Sequence, residues 1–236
     1  MKLYLVRHGR SAGNLPGRMT GWSDHPLTRL GVAQARRVAA RVAPLGPMPV
    51  YTSDLPRALQ TAELIAARWR PGEAGGPRPD RRLREIDLGD FEGRTWAEFV
   101  ADAGLADAFA RDPLGTALPG GESMNAVRDR VIAAYAEIVG GDDAVACLVA
   151  HDGPLRTILN DVLGVPPERH WALSTSHGGL SLIETDGAWT SVRFVNDTSH
   201  LRGLASDDRA SPLEAPARVV ELAGEARAGG AAEQAL

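Results

Sequence analysis

The sequence predicts a three-layer α/β/α sandwich with a mostly parallel sheet, and three observations carry that prediction. Short apolar, strand-like runs alternate with amphipathic helical segments between Met1 and Leu201, the order that yields a parallel sheet covered on both faces. Two of those runs, Leu3-Tyr4-Leu5-Val6 and Ala144 to Ala150, end on histidine motifs, Arg7-His8-Gly9 and His151-Asp152-Gly153. The length of 236 residues, with 44% hydrophobic and 24% charged, suits one sizeable domain with a full core.

Leu3 to Val6 is aromatic and β-branched enough for a short buried strand. A polar, glycine-rich loop follows from Arg10 to Pro26, too long for a mere connector and therefore a candidate for function. Thr28 is a good N-cap, and Val32, Ala35, Ala39 and Val42 share one face, so a helix is predicted from Arg29 to Ala43. Pro44, Gly46, Pro47 and Pro49 end it. Val50-Tyr51-Thr52 reads as a second strand, and Leu55 to Arg68 as a helix with Leu55, Ala58, Ala62 and Ile65 inward. Asp54 reads as a cap for that helix. Gly72 to Pro79 is a linking loop, and a third strand-to-helix junction is expected near Leu83, releasing Arg84-Glu85-Ile86-Asp87.

Thr95-Trp96-Ala97-Glu98 has the form of a capping box, so a helix starts at Thr95. Arg111 to Ser123 reads as a loop, and Val127, Val131, Ala134 and Ile138 mark the inner face of the next helix. Beyond the strand Ala144 to Ala150, Pro154 to Leu163 is helical and stops at Gly164. Two final strands, Gly179 to Glu184 and Ala188 to Val195, flank the turn signal Asp186-Gly187. This divides the chain into a catalytic domain over 1–202 and an acidic, alanine-rich tail over 203–236, expected to be disordered or loosely docked.

Composition narrows the functions. A formal charge of −4 argues against a nucleic-acid partner. No run approaches a membrane span and the N-terminus lacks a signal-peptide core, so a cytoplasmic protein is expected. Cys147 lies alone in an apolar run and reads as a small core residue. Lys2 is the only lysine among 26 basic residues, so a phosphate site here must use arginine, which grips oxyanions through several donors.

In a parallel sheet the strand-to-helix junctions share one edge, where ligands bind. That edge would gather Arg7, His8, Arg57, Glu85 and His151. A lone Arg-His-Gly is more often a solvated charge beside a structural histidine. Two arginines, two histidines and a glutamate together suit phosphoryl transfer. Arg7 and Arg57 would neutralise the phosphomonoester dianion, with His151, if protonated, as a third donor. His8 must be neutral to attack phosphorus, and a backbone carbonyl on its other nitrogen would fix that tautomer. Glu85, its pKa raised, would protonate the leaving alkoxide and then activate water. Accelerations for such esters reach ~10²¹, about 28 kcal/mol, whereas two charged hydrogen bonds give about 1.5–3 kcal/mol each and a general acid about 3–5. A nucleophile that splits the reaction into two steps is thus a reasonable demand. No metal or other cofactor is called for, since the histidines and nearby acids lack zinc spacing. Met19, Trp22, Phe91 and Trp96 could line an apolar substrate pocket or belong to the core; His25, His170, His177 and His200 read as structural, with Ser176 and His177 near enough to be pocket neighbours.

These residues together resemble the histidine phosphatase superfamily, the phosphoglycerate mutase-like group, over Met1 to Leu201. The resemblance rests on Leu5-Val6-Arg7-His8-Gly9, Thr20-Gly21-Trp22, Pro26-Leu27-Thr28, Ser53-Asp54-Leu55 with Arg57-Ala58 and Gln60-Thr61-Ala62, Leu83-Arg84-Glu85, Gly89 with Phe91-Glu92-Gly93, Gly120-Gly121-Glu122-Ser123 and Ala150-His151. It implies a phosphoglycerate mutase-like fold, His8 as the phosphorylated nucleophile, Arg7, Arg57 and His151 as the phosphate pocket, and Glu85 as proton donor. Asn14, Thr20 and Gly21 fall where members meet the phosphoryl group or substrate. Asp152 stands where members usually carry glycine; it would either repel phosphate or point away and hold the loop or His151, and the second is favoured. Mutases carry a longer, more basic segment between the glutamate and second histidine, absent here, so the resemblance implies a phosphatase, nearest the α-ribazole and broad-specificity branch. The expected partner is a small phosphorylated metabolite such as α-ribazole 5'-phosphate or a sugar or glycerate phosphate; a homodimer is left open. A mutase-type isomerase and a catalytically silent phospholigand-binding protein are the alternatives.

Overall fold

The computed structural model describes residues 1–14, 18–70, 72–73 and 75–204. Its centre is a six-stranded sheet with strand order β3-β2-β4-β1-β5-β6. β1 (Lys2–Arg7), β2 (Val50–Thr52), β3 (Arg78–Pro79) and β4 (Val145–Ala150) run parallel; β5 (Leu180–Thr185) and β6 (Thr190–Asp197) form the antiparallel edge. β1 and β4 pair in register from Lys2 with Val145 to Arg7 with Ala150, so His8 and His151 leave neighbouring strands at the same level.

Side-chain alternation along the central strands builds the two flanking layers. Leu3, Leu5, Ala146, Leu148 and Ala150 face α5 (Met124–Val139) and α6 (Asp152–Leu163), while Tyr4, Val6, Cys147 and Val149 face α1 (Arg29–Val42) and α2 (Pro56–Ala66). α1 starts as its sequence requires, with the Thr28 hydroxyl accepting from Gly31 N–H. The three-layer α/β sandwich is thus the observed architecture.

The expected helix starts at the Thr95 box and is short, α3 (Trp96–Ala101); Asp102 ends it, and its carboxylate caps the next helix, α4 (Ala103–Arg111), at Leu105 N–H. Three local expectations are corrected. Helix α6 begins at Asp152, two residues earlier than expected. No strand leads into Leu83: β3 has only two residues at the sheet edge, and Glu85 follows a short 3₁₀ turn, Arg81–Leu83. Asp54 caps nothing, since its carboxylate takes both the Nε and a terminal nitrogen of Arg84, at 2.6 and 2.7 Å. The hydroxyl that turns back on the start of α2 belongs to Ser53, which accepts from Leu55 N–H.

A third apolar cluster, Met19, Leu88, Phe91, Phe99 and Leu118, roofs the open edge of the sheet and carries α3 and α4. Among the described residues no helix is long and apolar enough to cross a membrane. The expectations for the tail lie outside the described residues, apart from its first two positions.

Candidate active site

His8 stands just past β1 and is 2% exposed. Its Nδ1 lies 2.7 Å from the carbonyl oxygen of Gly9, which can only accept. This contact assigns the ring proton to Nδ1 and leaves the Nε2 lone pair bare. Gly9 is required for packing: a Cβ there would lie 2.3 Å from the carbonyl oxygen of Gly31 in α1. Burial, then the surrounding His151, Arg57, His177 and Arg7, hold the His8 pKa well below the ordinary 6.5, so the ring is uncharged.

His151 leaves β4 beside it, with ring centroids 4.9 Å apart. Its Nε2 is 2.8 Å from Ser53 Oγ. The Ser53 hydroxyl, which accepts from Leu55 N–H, can give its own proton to His151 Nε2, an arrangement that places the neutral ring's proton on Nδ1. Burial, with Arg57 and Arg7 nearby, pushes the His151 pKa well down. In that tautomer the neutral ring serves as a donor through Nδ1. The His177 ring centroid lies 5.3 Å from that of His8.

Arg57 projects from the first turn of α2 and is 1% exposed. Its terminal nitrogens donate to the carbonyls of Ser23 and Gly21, at 3.0 and 2.6 Å. Even with burial lowering it to about 10, it stays cationic at neutral pH. Arg7 donates one terminal nitrogen to the Thr175 carbonyl. Two buried donors, Arg7 Nε and Arg57 Nε, nevertheless lack any hydrogen-bond partner, as does the ring nitrogen His151 Nδ1. Buried polar atoms of this kind are rarely left unpaired, and these three belong to the groups whose charges act on His8.

Glu85 accepts from Ile86 N–H at 3.0 Å and Gly153 N–H at 3.3 Å. Burial, reinforced by the Asp152 carboxylate, raises its pKa above the ordinary 4.5. The loop that carries it is clamped by Arg130 of α5, which donates to the carbonyls of Arg82, Arg84 and Glu85 and pairs with Glu122.

The family model of the histidine phosphatase superfamily (branch 1) matches residues 3–198. The chain belongs to the histidine phosphatase superfamily. It is 34% identical over 216 residues to a protein of Proteus mirabilis named "Probable phosphoglycerate mutase GpmB", covering 88% of this chain and 98% of that one. Among solved structures, Bacillus stearothermophilus YhfR superposes with a TM-score of 0.76 at 33% identity, covering 85% of this chain and 98% of YhfR. An α-ribazole phosphatase from Shigella flexneri gives 0.71 at 26% identity, over 84% and 96% of the two chains. A mycobacterial glucosyl-3-phosphoglycerate phosphatase complexed with VO3 gives 0.73 at 30%, over 84% and 99%.

In this member of the superfamily a cavity of about 130 Å³ opens beside Arg7, Asn14, Thr20, Glu85 and Gly153. Its far wall is apolar, built from Met19, Trp96, Phe99, Phe109, Leu118 and Trp171. Of the apolar residues picked out from the sequence, Met19 and Trp96 line it together, whereas Phe91 is core and Trp22 does not line it. The Trp22 indole instead donates to the Glu85 carbonyl at 2.7 Å. Asn14 Oδ1 accepts from Ser11, and Thr20 Oγ1 donates to the Gly13 carbonyl, so both polar groups are held at the cavity edge by their own loop. Gly21 contributes its carbonyl to Arg57. Asp152 is at the cavity edge too, but its carboxylate is taken by Arg156 and Thr175. Sequence reading missed Ser53, Arg130, Arg156 and Thr175. Ser53 was findable as the residue that follows β2 at the shared sheet edge; the others act from helices and a loop that only the fold brings near. Among the described residues no cluster of three metal-binding side chains is present.

Proposed function

We propose that this member of the superfamily hydrolyses small phosphomonoesters through a phosphohistidine on His8. The observation that carries the reading is the uncharged His8 ring set among three buried, unpartnered nitrogens, Arg7 Nε, Arg57 Nε and His151 Nδ1. A phosphoryl group placed before His8 Nε2 would accept from all three. The Nε2 lone pair attacks phosphorus, the ester P–O bond breaks, and the Glu85 proton passes to the departing alkoxide oxygen. The resulting Glu85 carboxylate then takes a proton from water as the water oxygen attacks phosphorus and the Nε2–P bond breaks, its electron pair returning to Nε2, which releases inorganic phosphate and restores both side chains.

The cavity supports hydrolysis over isomerisation. A mutase must also hold the carboxylate of a glycerate, yet of the cavity's arginines Arg156 is paired with Asp152, Arg18 donates to the Gly93 carbonyl, and Arg7 is the one this reading gives to the phosphoryl group. Its aromatic wall favours a substrate whose alcohol half is apolar or presents a flat face. The mutase reading keeps its place because several curated relatives bear that name. Feeding 3-phosphoglycerate separates the two: free phosphate supports the hydrolase, 2-phosphoglycerate the mutase.

The covalent step is tested by brief mixing with ³²P-labelled substrate. Acid-labile, alkali-stable label on the wild-type chain and none on His8→Ala is expected. Label that survives in His8→Ala would overturn the assignment.

A further inference from the structure

Asp152 follows the second histidine directly and is 3% exposed, yet it is not one of the groups the phosphoryl-transfer scheme uses. Its Oδ1 accepts from both the backbone N–H and the hydroxyl of Thr175, at 2.7 and 2.9 Å. Its Oδ2 pairs with Arg156 one helical turn on. The Thr175 carbonyl in turn accepts from Arg7, whose same nitrogen lies 3.9 Å from Asp152 Oδ1. Arg156 completes the arrangement by donating Nε to the Leu173 carbonyl at 2.7 Å, and its guanidinium stacks 5.0 Å from the centre of the Trp171 ring. Two residues on the first turns of α6 thus pin the segment Leu173 to Thr175, and that segment grips one edge of Arg7.

We propose that Asp152 is a positioning residue that, through Thr175 and with Arg156, holds Arg7 ready for the phosphoryl group. This rests on the reading of Arg7 as a phosphate ligand. Arg7 ends a strand and carries a long side chain, so without an anchor its guanidinium would sample many rotamers. With one terminal nitrogen fixed behind it, the unpartnered Nε edge is left for an incoming oxygen. The Asp152 charge is compensated by Arg156, buried to 2% exposure against it, so the pair adds no net charge beside the phosphate site. The same pair steadies Trp171 in the wall of the substrate cavity.

The sign of one measurement separates positioning from simple repulsion. Removing an acid that merely repels phosphate tightens anion binding, whereas removing one that holds Arg7 weakens it. Binding of inorganic phosphate, measured by calorimetry on the full chain, reads this without turnover. Asp152→Asn is expected to raise the phosphate Kd about tenfold and to lower kcat/KM by a similar factor, as misplacing a catalytic contact does. Thr175→Val keeps both charges, removes only the hydroxyl bond, and is expected to raise the Kd about threefold with the fold intact. Should the unpaired Arg156 keep Asp152→Asn from folding, Thr175→Val decides. Tighter or unchanged phosphate binding in a folded variant overturns the proposal, as does a fall in Tm alone. A wild-type chain that binds phosphate but cleaves no ester would overturn the hydrolase reading and leave the positioning role standing.

Discussion

Gly153 offers a test of Glu85 that leaves every catalytic side chain chemically unchanged. A Cβ added to Gly153 would lie 2.3 Å from Glu85 Oε1 and 3.4 Å from its carboxyl carbon. Ordinary contact begins near 3.4 Å, so in Gly153→Ala the carboxyl must retreat by about 1 Å. The bond from Gly153 N–H, at 3.3 Å already long, is lost as it does so. Displacing a proton donor by this distance is worth about 100-fold, or about 2.7 kcal/mol, in the step that uses the proton. The loss should depend on the leaving group. With an alkyl phosphate, whose alkoxide needs the proton, kcat is expected to fall about 100-fold; with 4-nitrophenyl phosphate, whose phenolate leaves unaided, less than about threefold. Steady-state kinetics on the two substrates, with circular dichroism to confirm folding, supply the comparison. Equal losses on both would refute Glu85 as the acid.

The Glu85 carboxyl, raised by burial, stabilises the fold fully below its unfolded value of 4.5, and that contribution is lost as pH rises through the raised one. Glu85→Gln, which cannot ionise, is therefore expected to gain Tm relative to wild type between about pH 4 and pH 8, as differential scanning fluorimetry would show; a constant difference would count against the burial argument. Arg130→Ala frees the carbonyls of Arg82, Arg84 and Glu85 and strands Glu122, so a loss of about 2–3 kcal/mol in urea unfolding is expected, with a lowered kcat on alkyl phosphates. Trp96→Ala removes part of the cavity wall and is expected to raise KM for naphthyl phosphate about tenfold, with little change for glycerol phosphate; equal effects on both would remove the aromatic wall from substrate recognition.

What was legible in the sequence follows from how local each signal is. A strand that stops on Arg7-His8-Gly9 and another that stops on His151 needed only the rule that parallel strands share an edge, and the pairing of Arg7 with Ala150 bears that out. Thr28 and the Thr95 to Glu98 box are caps written within four residues, and both form. Glu85 was located, but by the wrong route: no strand delivers it, and its place depends on Arg130, 45 residues away. Asp54 was misread because a carboxylate before a helix usually caps it, whereas here Arg84, 30 residues on, takes both of its oxygens. Asp152 was read correctly as turned aside, yet its partner Thr175 was invisible without the fold. Residues that act through distant loops leave no periodic or local trace, and this site is supported mostly by such residues.

One physical cause sets both ends of the proposed reaction. In water an imidazole is charged below pH 6.5 and a glutamate above pH 4.5, so at the pH values in between His8 would be a cation and Glu85 an anion. Neither state suits its task, since the nucleophile must be neutral and the acid must hold its proton. Burial penalises charge on either group and is the largest influence on both, lowering one pKa and raising the other. The same desolvation leaves Arg57 charged, because a guanidinium brought down to about 10 is still protonated at neutral pH. The three-layer fold therefore closes over this edge with one electrostatic effect and obtains three different outcomes from it: a bare lone pair, a carboxyl that holds its proton to higher pH than in water, and a fixed cation. A substitution that admitted water beside His8 while leaving every named residue in place should return both pKa values toward 6.5 and 4.5 and slow both half-reactions together.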